Sequence, residues 1–222
     1  MAVRKETSAP LRRDAQRNRD ALLAAAREVF AELGLDASLD EIARRAGVGN
    51  ATLYRHFPSR AALIEAVFHD LLAGTRHMGE QARAHADAWA GLTRYLEGIF
   101  EGLAADRGAN DLMTTGIQGV ASLEALHAHN RETIGLLIGR AQAQGAMRTD
   151  VTAEDLLLLL AALGRTVPAL TAVVPNVWRR YLAVLLDGLR AQPTASLPAP
   201  SLTAAQLGDV LQDLGPHAAG PK

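Results

Sequence analysis

Between Asn50 and Arg60 the chain sets short polar and cationic side chains at close spacing: Asn50, Thr52, Tyr54, Arg55, His56 and Arg60, with Ala51 among them. Amide, hydroxyl and guanidinium groups of this kind suit a surface that is both anionic and hydrogen-bonding. Cations take phosphates, and short polar or small side chains approach base edges. Apolar Leu53 and Phe57 interrupt the set at positions that a helix turns the other way, so they are expected to plug a core while the rest face outward. Two upstream arginines, Arg44 and Arg45, are further phosphate candidates, or simply a solvated face.

Other chemistries find little support. The chain has no cysteine, which excludes disulfides, thiolate metal sites and a cysteine nucleophile. Its seven histidines do not group: His69, His77 and His85 recur every eight residues, and His127 and His129 lie two apart, spacings that share no helix face. No metal site and no cofactor are expected. There is no Gly-rich phosphate loop, nucleophile elbow or HExxH motif, so no catalytic residue is assigned and the chain is not expected to be an enzyme. Aromatics make up 4% of the chain, too few for a single-strand stacking platform. The longest apolar run, Leu156 to Leu163, falls short of the roughly 20 residues of a membrane span, so a cytoplasmic protein is expected.

The formal net charge of −1 conceals an asymmetry. Residues 1–60 hold eleven Lys/Arg against eight Asp/Glu, and the remainder is acidic. A basic end on an acidic body suits one face for phosphates and another for a different task.

The elements that must position these residues all read as helices. A first helix from about Asp14 to Leu33 puts Leu22, Ala26, Val29, Phe30 and Leu33 on one face and ends at Gly34. Ser38 begins a short second helix, with the Ser-x-x-Glu spacing of a capping box to Glu41. Gly47 stops it, a third short helix runs to His56, and Ser59 caps a fourth. Two short helices joined by a Gly-containing turn form a helix-turn-helix, whose second helix enters a major groove. Beyond Thr75 the pattern remains helical, with segments expected at Asp111–Ala121, Leu123–Gln144, Thr152–Thr166 and Asn176–Arg190, and with Pro168 and Pro175 bracketing an interruption. The expected fold is all-α.

The string IARRAGVGNATLYRHFPSRAALIEAV closely resembles the DNA-binding domain of TetR-family transcriptional regulators. The shared parts are Ile42-Ala43, Ala46-Gly47-Val48, Thr52-Leu53-Tyr54, His56-Phe57, Arg60 and Leu63, within a resemblance covering roughly Arg12 to Leu72. Gly49 departs from the capping serine of many members. The resemblance implies a homodimer on a palindromic double-stranded DNA operator, commonly a repressor released by a small-molecule effector. Asn50, Ala51 and Tyr54 would approach bases. Thr52, Tyr54, His56 and Arg60 would hold phosphates, joined by Arg44, Arg45 and Arg55. Arg12, Arg13, Arg17 and Arg19 would form a basic arm.

The resemblance also implies an organisation into a flexible arm (1–11), a DNA-binding domain (12–72), a ligand-binding and dimerisation domain (73–191) and a Pro/Ala-rich tail (192–222). The tail is expected to be largely disordered, save for a possible short helix over Thr203–Leu214. Trp89, Tyr95, Met113, Ile117 and Arg165 are ligand candidates, Arg165 meeting either an anionic ligand or a carboxylate across the dimer. Leu156, Leu160, Trp178, Tyr181, Leu182, Leu185 and Leu189 are dimer candidates. The rival reading is a helical ligand- or partner-binding protein that has lost operator recognition.

Overall fold

The computed structural model of the chain describes residues 8–114, 117–191 and 195–213. Every named element among them is a helix: α1 (Ser8–Leu33), α2 (Leu39–Arg45), α3 (Asn50–His56), α4 (Arg60–Ala84), α5 (Ala88–Ala105), α6 (Arg107–Thr114), α7 (Ala121–Ala143), α8 (Ala153–Val173), α9 (Trp178–Gly188) and α10 (Ala204–Asp213). The local rules operate where expected. Gly34, Gly47 and Gly145 all carry positive φ at helix ends. Ser59 Oγ accepts from the Ala62 N–H, and Thr152 with Asp155 closes a full capping box. Ser38 caps α2 by accepting from the Asp40 N–H, but the expected box to Glu41 does not form, because Glu41 turns to two arginines instead.

Two apolar clusters hold the molecule together. The first joins Leu22, Ala26, Val29 and Phe30 of α1 to Ile42, Leu53, Phe57, Leu63 and Phe68. Leu33, expected on that face, is half exposed, while Leu35 just beyond the helix end is buried in its place. This cluster also takes in Ala109 and Leu112 of α6 and Leu123 and Leu126 of α7. The head therefore packs directly on the body. The boundary expected after residue 72 falls inside α4, a single helix of 25 residues that serves both parts.

The second cluster is the body core, built on Leu92, Tyr95, Leu96 and Phe100 of α5, Ile134, Leu137 and Ile138 of α7, and Trp178 and Leu182 of α9. A polar seam fastens α4 to α7 at both ends. Ser122 donates to Glu65 near the head. At the far end Arg83 donates to Thr133 Oγ1 at 2.8 Å, and Arg140 reaches the carbonyls of Arg83 and His85 at 2.6 and 2.7 Å. Tyr95 donates to Asn130 inside the core. Buried polar groups so paired add specificity to the packing at little net cost.

Three expectations need correction. Pro168 does not interrupt α8, which runs through it to Val173; an apolar helix packed against α5 and α6 tolerates the lost hydrogen bond. The break expected before Asp111 shrinks to Asp106, whose carboxylate accepts from the Ala109 N–H and starts α6 at Arg107. Of the tail expected to be largely disordered, residues 195–213 are described, and α10 falls where the short helix over Thr203–Leu214 was expected. They return to the body through Arg148 on the Ala195 carbonyl and Leu197 N–H on Asp150, and α10 buries Leu207 completely. Residues 1–7 of the expected arm lie outside the described residues, and its remainder begins α1.

α8 is the apolar element with least cover. An 18-residue stretch within its 21 residues has a mean hydropathy of 1.9, long and apolar enough to cross a membrane by length and composition, which the short apolar run alone did not reveal. Only 17% of that stretch is buried within the chain. Leu159, Val173 and Val174 are exposed on or beside α8, as are Tyr181 and Val184 on α9.

Candidate nucleic-acid interface

α3 stands on the head core through Leu53 and Phe57, 1% and 3% exposed. The remaining side chains of the helix are left outward. Asn50, Ala51, Tyr54 and Arg55 are exposed, and Thr52 and His56 are half-buried. Gly49 caps α3 with extended backbone and no side-chain hydrogen bond, so glycine serves where a serine would otherwise accept. Arg19 of α1 lies 5.4 Å from the centre of the Phe57 ring, a cation–π contact that brings one basic side chain of the first helix beside α3.

Charges around α3 are organised by α2. Arg44 is bidentate on Glu41 at 2.8 and 2.7 Å, and Arg45 reaches Glu41 and Glu32, both at 2.8 Å. Hydrogen bonds from Arg44 and Arg45 hold the Glu41 carboxyl down at about 2, and Arg45 does the same for Glu32 in direction. Arg44 nevertheless keeps most of its side chain in solvent and can turn to a phosphate. Asn50 donates to Asp40 at 2.6 Å, and Arg55 to Thr52 Oγ1 at 3.1 Å.

Arg60, expected on a phosphate, is also engaged within the protein. Its guanidinium donates to the carbonyls of Leu35 and Ala37 at 2.7 and 2.8 Å, tying the start of α4 to the turn between α1 and α2. Nothing in the spacing of residues signals this contact, which spans 25 positions.

Two hollows are formed by described residues of the body. The larger, about 530 Å³, lies between α5, α6 and α8, and Arg107, Asn110, Asp111, Thr114 and Arg165 line it with apolar Leu103 and Pro168. The smaller, about 210 Å³, lies between α5 and α9 and is walled by Trp89 and Trp178 with Arg179 and Arg190. Of the expected ligand residues, Arg165 lines the large cavity and Trp89 the small one. Met113 and Ile117 pack against the head core, and Tyr95 is sealed inside the body, so neither cavity gathers the expected set. The expected dimer residues divide similarly. Leu156, Trp178, Leu182 and Leu189 are interior, at most 5% exposed, because α9 turns that stripe onto α5 and α8. Leu160 and Leu185 are partly buried and Tyr181 is exposed. Leu159 and Val184, outside the expected set, are exposed apolar residues on the same two helices; an exposed and a buried apolar residue look alike in sequence. Among the described residues no group of histidine and carboxylate side chains is placed to hold a metal.

Comparison with known proteins agrees with this layout. Residues 22–67 match the family described as bacterial regulatory proteins, tetR family, and residues 87–191 match the SbtR-like transcriptional regulator C-terminal domain. The TetR transcriptional regulator SCO0520 from Streptomyces coelicolor is 33% identical, with a TM-score of 0.51 over 80% of this chain and 99% of that one. The transcriptional repressor KstR2 of Rhodococcus jostii is 28% identical over 77% of this chain and 90% of its own length. The match to the regulator YvdT of Bacillus subtilis, 42% identical, spans 34% of that protein. NalD of Pseudomonas aeruginosa, at 22% identity, shares the fold with a TM-score of 0.58. An outward-facing α3 on a three-helix core, joined by α4 to a helical body, thus has its sequence counterpart in both matched segments, and the chain belongs to the TetR family of DNA-binding transcriptional regulators.

Proposed function

We propose that the chain acts as a homodimeric repressor in the bacterial cytoplasm, that it binds a palindromic operator, and that a small molecule in the body releases it. The observation that carries this reading is the outward face of α3, where Ala51, Tyr54 and Arg55 stand exposed above a core closed by Leu53 and Phe57. A helix held so can enter a major groove without disturbing the fold beneath it.

The uncovered apolar surface of α8 and α9 supports pairing. Leu159, Tyr181 and Val184 gain by leaving water, and a two-fold axis there lets each copy cover the other. Arg165 midway along α8, and α10 docked on the same helix, fit a protein partner better than lipid. Two heads on one axis then read half-sites about 34 Å apart. Repression follows the relative KstR2, a repressor matched over most of its length. The large cavity between α5, α6 and α8 is the effector site in this reading.

The test is a gel shift with the DNA flanking the protein's own gene, repeated at raised salt, with mass in solution from light scattering. A dimer that keeps its preference over random competitor DNA supports the reading. A monomer without preference overturns it and favours a partner-binding protein that has lost operator recognition.

A further inference from the structure

The first residue of the outward helix is not free to turn. Asn50 opens α3, and its side-chain nitrogen donates to Asp40 Oδ1 of α2 at 2.6 Å. An ionised carboxylate only accepts, so the amide nitrogen is the atom it draws. The amide oxygen, on the other branch of the same carbon, faces elsewhere and has no partner among the described residues. Asp40 is itself placed by the start of α2, where its backbone N–H donates to Ser38 Oγ at 3.1 Å. The arginines of α2 do not draw it away, because Arg44 goes to Glu41 and Arg45 to Glu41 and Glu32. Both Asp40 and Asn50 are exposed, so the pair serves no core.

The direction of that amide decides what it can read. In the major groove adenine N6 and cytosine N4 donate, whereas guanine O6 and N7 and thymine O4 accept. An outward carbonyl oxygen takes a donor. Guanine and thymine would set acceptors against it, with the Asp40 charge behind it adding to the repulsion. The other outward side chains of α3 do not offer a carbonyl acceptor: Ala51 has no polar atom, Arg55 only donates, and Tyr54 ends in a hydroxyl.

We propose that Asp40 is a specificity-determining residue of this regulator: by holding the Asn50 amide it makes α3 read the exocyclic amine of an adenine or cytosine at one position of each operator half-site. Asp40 touches no base and acts as a positioning residue for Asn50. This rests on the reading of the chain as an operator-binding regulator.

The test starts from duplexes selected from a random pool by the full chain. Asn50→Ala identifies the base pair in question as the one position at which preference disappears. Every base pair carries one such amine, so the adenine or cytosine of that pair is replaced by purine or 2-pyrimidinone, which lack it, and affinity is read by fluorescence anisotropy. The wild type is expected to lose about tenfold on removal of the amine, and Asn50→Ala to lose nothing beyond the common effect of the weaker pair. Asp40→Asn can donate as well as accept, so the Asn50 amide is able to present either end, and the loss is expected to shrink to about twofold, as in Asp40→Ala. Total affinity rises in both variants as a like charge goes, but the ratio with and without the amine is the readout. Preferences at all other positions are expected to stay as in the wild type, which a loosened α2–α3 unit would not allow. A tenfold ratio retained in Asp40→Asn and Asp40→Ala overturns the proposal, as does a wild type indifferent to the amine or a selection in which no position depends on Asn50. A wild type that selects no duplex overturns the regulator reading together with the proposal, a result distinct from a selected duplex whose amine ratio ignores Asp40.

Discussion

The Asn50 side-chain amide lies 2.6 Å from the Asp40 carboxylate, which ties the first residue of α3 to the first turn of α2. The residue expected to probe a base is held by its own protein, and the acid that holds it adds a negative charge beside the start of α3. Replacing Asp40 with Ala removes a like charge and frees the amide. Duplex affinity is expected to rise about fivefold, near the 1 kcal/mol worth of one charge contact in water, as fluorescence anisotropy with a labelled duplex would show.

Tyr54 and Arg55 separate two kinds of contact. Tyr54 is 51% exposed, so its loss leaves the core intact. Tyr54→Ala is expected to cost about 1–3 kcal/mol of operator affinity with an unchanged melting temperature. Arg55→Ala is expected to weaken all duplexes alike and to lower the slope of log affinity against log salt by about 1.

Arg60→Ala is expected to act on folding before it acts on DNA. Two carbonyls lose a charged donor, which costs about 2 kcal/mol of head stability by chemical denaturation. The salt slope is expected to stay as in the wild type; a drop by one unit would return Arg60 to a phosphate.

Val184 is 64% exposed on α9. Val184→Asp is expected to leave the protomer folded by circular dichroism and to halve the mass seen by light scattering. Binding to a palindrome is expected to fall to that of one half-site.

Stability is expected to decline on acidification through about pH 6.5. Burial, helped by Arg83, holds the His129 imidazole below its ordinary value, and a Cβ on Gly79 would stand 2.4 Å from its Nε2. The unfolded chain therefore binds a proton that the folded one resists, and stability rises with pH across that window. His129→Leu is expected to flatten part of this slope in urea denaturation between pH 5 and pH 8. A slope identical to the wild type would remove His129 from the account.

The head was legible in the sequence because its signals are local. Gly34, Gly47, Ser59 and the Leu53–Phe57 pair each act on residues a few positions away, and all appear in place. The body was legible only as helices. The stripe Trp178–Leu182–Leu189 has the same spacing whether it meets α5 or a second copy, and only packing shows that it turns inward. The hydrogen bond from the Leu35 N–H to Asp111 crosses 76 positions, a separation at which no periodicity speaks. Glu41 misled because acids at that spacing from a serine also pair with arginines one turn on.

The chain's two tryptophans, Trp89 and Trp178, share one hollow between α5 and α9, each with a guanidinium within 4.5 Å of its ring. The head carries no indole at all. Tryptophan emission, excited at wavelengths beyond the tyrosine band so that Tyr54 is silent, is thus a natural spectroscopic gauge confined to one half of the molecule: without a reporter on α3, and sensitive to any rearrangement that shifts α9 against α5. Signal and output can be followed in separate optical channels without attaching a dye to the body.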